Sequence, residues 1–429
     1  MMDTPIAEQA RDALRRHVLA PLIPRYIDEE YGGFLVDFDN RWRSVGPHDK
    51  SLEHAARTTI AFAQLDRAMP GQGYERYVRH GCAFLQQAMW DSAHGGFFVR
   101  VDRSGSPLWE GLKHPHAVTY VARAFLLAEP LLAPGEGLRW AERALAWLNE
   151  FAWDSVHGGY WGSYRRNNER YADGARLPTP DGRDIFGLVP GFKEINTQGD
   201  AIELLTCFAE RDGRCAERLV ALVELVADRL MQPNGVLPYR YLSDWRPVPD
   251  LARVGYQFMM ARHLITAATF APMIGGVARA CDLVDFCFAS ARHPAGGFCF
   301  AVTADGRAWW ATGPSSDLRQ WWVQIEAIYT LHLLANNASV GPAARIRYRN
   351  ARDEQWAFLR DNQFDERHGG VLELPREQVP QWLRRLKRLL LRQPPPTSLL
   401  KSHCWKDSSH EVGAFLALAT DRQQQVGVA

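Results

Sequence analysis

The chain has 429 residues, and 46% of them are hydrophobic, which is ample material for a large core. Fifty Lys and Arg residues nearly balance 49 Asp and Glu residues, so the charge argues against a nucleic-acid partner. The seven cysteines include no C-x-x-C pair, and the N-terminus has no apolar run like that of a signal peptide. These features predict a cytoplasmic protein with reduced thiols, and no apolar stretch approaches the ~18 residues that a membrane helix needs.

A glycine turn recurs six times along the chain. The turns are centred on Gly33, Gly96, Gly159, Gly235, Gly297 and Gly370, in steps of 63, 63, 76, 62 and 73 residues. Such a repeat indicates one supersecondary unit copied along the chain. Each step holds two helix-length amphipathic segments, so the unit is a helical hairpin. The predicted fold class is therefore all-α, an (α/α)6 barrel of twelve helices in a single domain over 1–429.

The twelve predicted helices alternate between two kinds of sequence. Odd-numbered helices are amphipathic with a charged face, as in an outer ring, and span 5–23, 75–90, 136–152, 214–231, 273–292 and 342–362. Even-numbered helices carry small and aromatic residues on several faces, as in an inner ring, and span 53–68, 114–133, 196–211, 253–270, 318–336 and 408–420. After each glycine turn, a short run of alternating polarity predicts a β-hairpin at one rim.

Two segments are longer than the repeat requires. Residues 163–195 form a long polar loop before the sixth helix, and their position predicts a lid over the barrel mouth. Residues 375–400 include a basic amphipathic stretch, 381–396, that is stopped by prolines. That stretch could contact an anionic membrane or a partner subunit, but a solvated excursion with its leucines packed on the barrel is the favoured interpretation.

Polar residues stand near the start of each inner helix, and equivalent hairpins would bring them to one mouth of the barrel. They are Arg57, His116, Asp200, Tyr256, Gln324, Glu326 and His410. Tryptophans are expected at the same rim, namely Trp42, Trp161, Trp245, Trp309, Trp310, Trp321, Trp322 and Trp405. Flat apolar walls with polar groups between them suit a carbohydrate. No dinucleotide fingerprint and no zinc-like histidine spacing occur, so neither a cofactor nor a metal is expected.

Several motifs carry a family resemblance. The segment QWWVQIEA supplies Trp321, Trp322, Gln324 and Glu326, and SHCWKDSSHE supplies Trp405, Lys406 and His410. Weaker matches are Arg57 in HAARTTIAFA, Lys113 in KHPHAVTYVARAF and Asn196 in INTQGD. Over essentially its whole length the chain resembles the N-acylglucosamine 2-epimerase superfamily, which includes cellobiose 2-epimerases, mannose isomerases and sulfoquinovose isomerases. The resemblance implies a reducing-sugar substrate and is compatible with a homodimer.

The chain departs from the family pattern at five positions. Asp200 and Tyr256 stand where the family has histidines, His116 and Ser409 where it has tyrosines, and Met259 where it has glutamate. Of the three family histidines in the pocket, only His410 remains.

The resulting hypothesis is a sugar isomerase or epimerase that works through an enediolate. His410 would transfer the proton, Arg57 would stabilise the enediolate oxygens, and Asp200 and Tyr256 complete the predicted catalytic set, with Asp200 as an alternative aid to ring opening. The predicted substrate-binding residues are Lys113, His116, Asn196, Trp321, Trp322, Gln324, Glu326, Trp405 and Lys406.

The missing histidines bear on which reaction is favoured. Aldose–ketose isomerisation can proceed with one base, whereas 2-epimerisation is best served by two groups on opposite faces, so isomerisation tolerates the substitutions better. Two alternatives stay open. One is a divergent sugar-binding relative with altered or no activity, and the other is a glycoside hydrolase that uses carboxyls among Asp200, Glu203 and Glu326.

Overall fold

A computed structural model describes residues 5–23, 25–248, 251–270, 275–307, 317–376 and 400–420. Trp309, Trp310 and residues 377–399, which hold most of the predicted basic excursion, lie outside the described residues. Within those ranges no helix has both the length and the apolar character to cross a membrane.

Twelve helices in these ranges build the barrel, at positions close to the predicted ones. They are α1 (Ile6–Ala13), α2 (Leu52–Ala68), α3 (Glu75–Phe84), α4 (Pro115–Ala128), α5 (Glu136–Trp147), α6 (Ile195–Asp212), α7 (Ala216–Glu224), α8 (Val254–Phe270), α9 (Gly276–Ser290), α10 (Trp321–Ala335), α11 (Pro342–Gln363) and α12 (Ser409–Ala419). Four outer helices widen into π-helical turns, at Leu14–Leu19, Leu85–Met89, Leu148–Ala152 and Leu225–Leu230.

The even-numbered helices form a closed inner ring. Each packs on the next in the order α2, α4, α6, α8, α10 and α12, and α12 packs back on α2. Each inner helix also packs on the outer helix that follows it, from α3 on α2 to α11 on α10, while α1 packs on α12. The first and last helices of the chain thus complete the sixth hairpin, and the predicted (α/α)6 barrel is confirmed.

Short antiparallel strand pairs link neighbouring hairpins at the rim where the inner helices begin. The strands are β1 (Phe38–Asp39), β2 (Lys50–Ser51), β3 (Arg100–Val101), β4 (Lys193–Glu194), β5 (Arg240–Tyr241), β6 (Leu251–Arg253), β7 (Ala301–Thr303) and β8 (Leu400–Ser402). They pair as β1–β8, β2–β3, β4–β5 and β6–β7, and the first of these pairs closes the ring. The predicted hairpins within a repeat are single bridges across the glycine turns, such as Trp90–Phe97, whereas the regular pairs join adjacent repeats.

The glycine turns need glycine for two reasons. In the second turn Gly95 and Gly96 both have positive φ, 70° and 75°, a conformation that side chains other than glycine's rarely adopt. A Cβ on Gly96 would also lie 2.6 Å from the indole nitrogen of Trp147. The turn therefore lets the outer helix pack closely against the loop that leads to the next inner helix.

Buried lysines hold four of the six turns in the same way. Each lysine precedes an inner helix and pairs with the aspartate that opens the preceding turn. The pairs are Lys50–Asp28, Lys113–Asp91, Lys193–Asp154 and Lys401–Asp365, at 2.9, 3.1, 2.5 and 2.8 Å. Each lysine also donates to the carbonyl of the first turn glycine, at Gly32, Gly95, Gly158 and Gly369. We call these four sites the lysine-clamped turns.

The number of residues between the aspartate and the lysine differs among the lysine-clamped turns, and this difference accommodates the variable spacing of the repeat. Lys50 follows its aspartate by 22 residues, while Lys193 and Lys401 follow theirs by 39 and 36. The extra residues fall between turn and inner helix, where 163–192 form an irregular loop. The barrel can thus lengthen its rim loops without moving its inner helices.

Candidate active site

A cavity of about 390 Å³ opens at the end of the barrel where the inner helices begin. Eight of the predicted site residues line it, namely Arg57, His116, Asn196, Tyr256, Trp321, Trp322, Trp405 and His410. They come from all six inner helices and from the loop before α12, because equivalent positions of successive hairpins face the same mouth. Convergent polar groups in a mostly apolar pocket are typical of a ligand site.

His410, the second residue of α12, is held by a carboxylate. Its Nδ1 lies 2.7 Å from Oε1 of Glu326 on the neighbouring helix α10. Burial would raise the pKa of Glu326, but Arg262 and His410 hold it at about 2, so the group is a carboxylate that only accepts. Nδ1 therefore carries a proton, and Nε2 is the nitrogen left for a ligand.

His116, the second residue of α4, is held by a carboxylate in the same manner. Its Nδ1 lies 2.8 Å from Oδ2 of Asp200 on the neighbouring helix α6. Tyr120 donates its hydroxyl to the other Asp200 oxygen at 2.9 Å. Burial would raise the pKa of Asp200, but His116 and His263 hold it below its ordinary value. Nε2 of His116 is buried without a hydrogen-bond partner among the described residues.

Arg57 lies between these two histidines in the ring. Its helix α2 packs on α12, which carries His410, and on α4, which carries His116. Its Nε lies 2.8 Å from Oδ2 of Asp407, and its Nη2 donates to the Trp405 carbonyl at 3.3 Å. Burial would lower the pKa of Arg57, but Asp407 keeps it above its ordinary value. The site thus has a fixed cation with an imidazole on either side.

An ion-pair network joins the two histidine–carboxylate pairs beneath the cavity. Glu326 lies 3.3 Å from Arg262, which lies 3.0 Å from Glu203. Arg123 contacts the same Glu203 at 2.7 Å. His263 completes the link, at 3.3 Å from Glu203 and 3.7 Å from Asp200. We call this set the cavity network.

The cavity network is short of positive charge. It holds the carboxylates of Glu326, Glu203 and Asp200 but only two guanidiniums, on Arg262 and Arg123. Burial and the charge of Arg262 lower the pKa of His263 to about 4, so that ring is neutral at neutral pH. The imidazoles of His410 and His116 lie beside two of the three carboxylates and face the cavity.

Asp200, Glu203 and His263 also have ligand atoms within 4.8 Å of one another, close enough to hold a metal ion. Glu203, however, already contacts both guanidiniums, whose charge opposes a second cation. This group therefore fits an ion-pair network better than a metal site.

Aromatic rings form the cavity wall. Tyr256 packs 5.3 Å from Trp322, and Trp322 packs 6.0 Å from His410, measured between ring centroids. Burial raises the pKa of Tyr256, so this phenol is a poor base at neutral pH. Phe186, from the loop 163–192, lies 4.7 Å from the His116 ring and 6.1 Å from Trp405. The long loop therefore reaches the mouth of the barrel.

Three predicted substrate-binding residues lie away from the cavity. Lys113 belongs to a lysine-clamped turn. Gln324 holds the fifth turn, because its Oε1 accepts from the Phe298 N–H and its Nε2 donates to the Phe298 carbonyl, both at 2.8 Å. Lys406 is buried and donates to the Val371 carbonyl at 2.6 Å. Their place in the motifs reflects the packing of the turns, and none of the three can reach a sugar in the cavity.

Asp200 and Glu326 lie one helical turn deeper than the histidines they hold. The sequence predicts both as site residues but does not pair them with His116 and His410. Neither Arg262 nor Arg253 is among the predicted site residues. Arg262 follows the predicted position Tyr256 by six residues, a spacing that does not fall on the same face of a helix, so periodicity does not mark it. Arg253 stands three residues before Tyr256, outside α8, where no periodicity marks it.

Known proteins show the same architecture. The N-acylglucosamine 2-epimerase (GlcNAc 2-epimerase) family model matches residues 32–174. A cellobiose 2-epimerase of Bacteroides fragilis is 21% identical over 258 residues, which span 59% of this chain and 64% of that protein. The structure of cellobiose 2-epimerase from Bacillus thermoamylovorans B4167 superimposes with a TM-score of 0.79 at 17% identity, covering 96% of this chain and 98% of the other. A D-mannose isomerase structure gives 0.78 at 18% identity, covering 96% and 97%.

The two structural matches concern the fold over nearly the whole chain. In sequence, residues 32–174 are similar to the N-acylglucosamine 2-epimerase family, and the match to the cellobiose 2-epimerase agrees with that similarity.

Proposed function

We propose that the protein is a sugar isomerase or 2-epimerase that moves the proton at carbon 2 of a reducing sugar through an enediolate. The observation that carries this proposal is the pair of imidazoles in one cavity, each backed by a carboxylate, on either side of Arg57. The similarity to the N-acylglucosamine 2-epimerase family and the epimerase and isomerase relatives support the same class of reaction.

The chemistry follows from this arrangement. In the open-chain sugar, the neutral imidazole takes the proton from carbon 2, and the electrons of that C–H bond form the C1=C2 double bond of the enediolate. Negative charge then develops on the carbonyl oxygen, where Arg57 and the N-terminal ends of the inner helices stabilise it. The imidazolium on the other side returns a proton to carbon 2 from the opposite face, and the product is the 2-epimer. Return of a proton to carbon 1, with transfer of the O2 hydroxyl proton to O1, gives the ketose instead.

The second histidine changes the balance between the two reactions. If His410 were the sole base, isomerisation would be easier than 2-epimerisation. His116 supplies a second imidazole, which lies beside the Asp200 carboxylate as His410 lies beside that of Glu326. Two-sided proton transfer, and hence 2-epimerisation, is therefore the reaction that we favour.

Hydrolysis is less compatible with these residues. A glycosidase needs a carboxylic acid with a raised pKa to protonate the leaving group. The pKa values of Asp200, Glu203 and Glu326 are all held below their ordinary values by neighbouring histidines and arginines. The three candidate carboxyls are thus suited to orienting histidines rather than to donating a proton.

Several finer predictions belong to the same proposal. We expect a single domain that acts as a cytoplasmic homodimer without a cofactor, with 163–195 as a lid and 381–396 as a solvated excursion. Phe186 at the cavity supports the lid. Light scattering of the purified chain tests the dimer, and a protein of single-chain mass would contradict it.

The test of the proposed reaction is exchange of the carbon 2 proton with deuterium from solvent, followed by NMR on pairs of 2-epimeric aldoses. The wild-type protein should exchange and interconvert both epimers. His410→Ala and His116→Ala should each stop interconversion, yet each should still exchange the one epimer whose proton faces the remaining histidine. His94→Ala, which removes an exposed imidazole from the second glycine turn, is the control and should match wild type.

Other outcomes would redirect the proposal. Exchange that is unchanged in both active-site variants would mean that the base lies elsewhere. Release of smaller sugars would point to a hydrolase. Absence of exchange with every aldose tested would favour a sugar-binding relative without this activity.

A further inference from the structure

Arg253 is a cavity residue that the proposed reaction does not use. It ends β6, directly before the inner helix α8, and its side chain lines the cavity together with Tyr256 and Phe300. Its guanidinium lies over two aromatic rings, with Cζ 3.9 Å from the centre of the Tyr239 ring and 5.4 Å from that of Phe300. These cation–π contacts hold the cation at the aromatic wall of the cavity.

The charge of Arg253 has no counter-ion among the described residues. Its Nε is buried there without a hydrogen-bond partner. Glu194, the nearest carboxylate to influence it, is occupied as the cap of α6, where it accepts from the backbone N–H groups of Asn196 and Thr197. Arg57, by contrast, is paired with Asp407. An unpaired, partly buried cation costs free energy unless a ligand supplies the missing charge.

Arg253 lies at some distance from the proton-transfer groups. Two aromatic rings separate it from His410, since Trp322 packs on His410, Tyr256 packs on Trp322, and Arg253 lies 5.8 Å from the Tyr256 ring. A group bound at Arg253 would therefore belong to a part of the sugar away from carbons 1 and 2.

Gln320 offers a neutral donor on the same wall. Its Oε1 accepts the indole N–H of Trp322 at 2.8 Å, so its Nε2 is the amide atom left to donate. Gln320 lines the cavity, as Arg253 does. A planar cation and an amide donor around one aromatic wall are suited to the oxygens of a phosphate, sulfonate or carboxylate.

From this geometry we infer an anion subsite at Arg253 and Gln320, so that the substrate is a reducing sugar with an anionic group remote from its carbonyl carbon. The inference rests on the proposed function for the identity of the substrate, but the subsite itself does not depend on turnover.

The experiment compares one aldose in four forms: neutral, with a 6-phosphate, with a 6-sulfonate, and as the uronate. kcat/KM for carbon 2 exchange should be highest for one of the three anionic forms, and the preferred form identifies the anion. Arg253→Met should reduce kcat/KM for that form about 10- to 100-fold and leave the neutral aldose unchanged. Arg253→Lys keeps the charge without the planar fork and should lose less. Arg143→Met, which removes an exposed arginine that is stacked on Trp140 of an outer helix, is the matched control.

A second measurement needs no activity. Sulfate raises the Tm of folded proteins in general, so the readout is a difference between variants. Inorganic sulfate should raise the Tm of the wild-type and Arg143→Met proteins equally and that of Arg253→Met less. Equal kcat/KM for neutral and anionic aldoses, or equal losses for both in Arg253→Met, would overturn the anion subsite. Either result would leave the proposed reaction standing, because that reaction fails only if no aldose exchanges its carbon 2 proton.

Discussion

Buried charge appears in two regions of this barrel and is arranged differently in each. In the lysine-clamped turns every aspartate has its own buried lysine, and the lysine also binds a backbone carbonyl. In the cavity network three carboxylates share two guanidiniums, and the remaining partners are histidines. Aspartates that each have a buried lysine of their own hold the backbone in place. The cavity network instead sets two imidazoles beside its carboxylates, and an imidazole is the side chain best suited to carry a proton in a reaction near neutral pH.

The largest effect should come from the cavity network. His410→Ala should lower the rate of epimer interconversion by about 10³- to 10⁴-fold, the upper part of the range for acid–base assistance, because it removes one of the two proton carriers. Its Tm should stay close to that of wild type, since His410 is not part of a turn. Steady-state kinetics and calorimetry on the same preparations measure both quantities. If His410→Ala instead lowered the Tm and left the rate of the folded protein unchanged, His410 would have the structural role that we assign to the lysine-clamped turns.

The lysine-clamped turns should show the opposite behaviour. Lys113→Met leaves Asp91 buried without its lysine and should cost about 3–5 kcal/mol of unfolding free energy. Arg166→Met provides the control, because Arg166 contacts the same Asp91 at 3.3 Å but is half exposed, and should cost less than about 1 kcal/mol. Urea unfolding measures both values. The folded fraction of Lys113→Met should have the kcat of wild type. If kcat falls by more than the loss of folded protein explains, Lys113 takes part in substrate binding after all.

The clamps also predict an acid limit to stability. Burial alone would raise the pKa of Asp28, but Arg103 and Lys50 lower it from 3.8 to about 2. Because this folded-state pKa is depressed, its contribution of about 2 kcal/mol is complete above pH 4 and is lost as the pH falls through 2. Asp28→Asn should therefore have a lower free energy of unfolding than wild type at pH 7. On acidification, that free energy should fall less than it does in wild type. Asp361→Asn, on an exposed part of α11, should follow the wild-type curve of unfolding free energy against pH.

The smallest effect should be at Tyr256. Tyr256→Phe keeps the ring that packs on Trp322 and removes only a hydroxyl with a raised pKa, so kcat should fall less than about 10-fold. A loss comparable to that of His410→Ala would mean that the phenol carries a proton, and the two-histidine scheme would then need revision.

The barrel could be predicted from the sequence because its repeat is marked by local signals. Each glycine turn reports a backbone conformation that few other residues adopt, and the helices between turns are long enough for their period to show. Even the inner and outer rings followed from polarity alone. The pairing of strands between repeats could not be foreseen, because two-residue strands carry no pattern of their own and form where the ring brings two loops together.

The site was only half predictable for a physical reason. His410 and Glu326 fall in motifs, so both were placed in the site. The pairing of His116 with Asp200 depends on how two inner helices are rotated about their axes. A sequence pattern does not specify that rotation closely enough to predict which side chains meet. Lys113 precedes the same helix as His116, but its side chain points back to the glycine turn. Polar residues next to each other in sequence thus serve different regions.

The chain has six lysines against 44 arginines, and the five in the described ranges are all buried. Amine-reactive reagents should therefore modify these five lysines slowly in the native protein. Four of the buried amines each belong to one clamped turn, so acylation of a given lysine, located by mass spectrometry, reports the opening of that turn. The four buried lysines of the lysine-clamped turns therefore serve as natural probes of local unfolding at the rim of the barrel, one for each of four repeats.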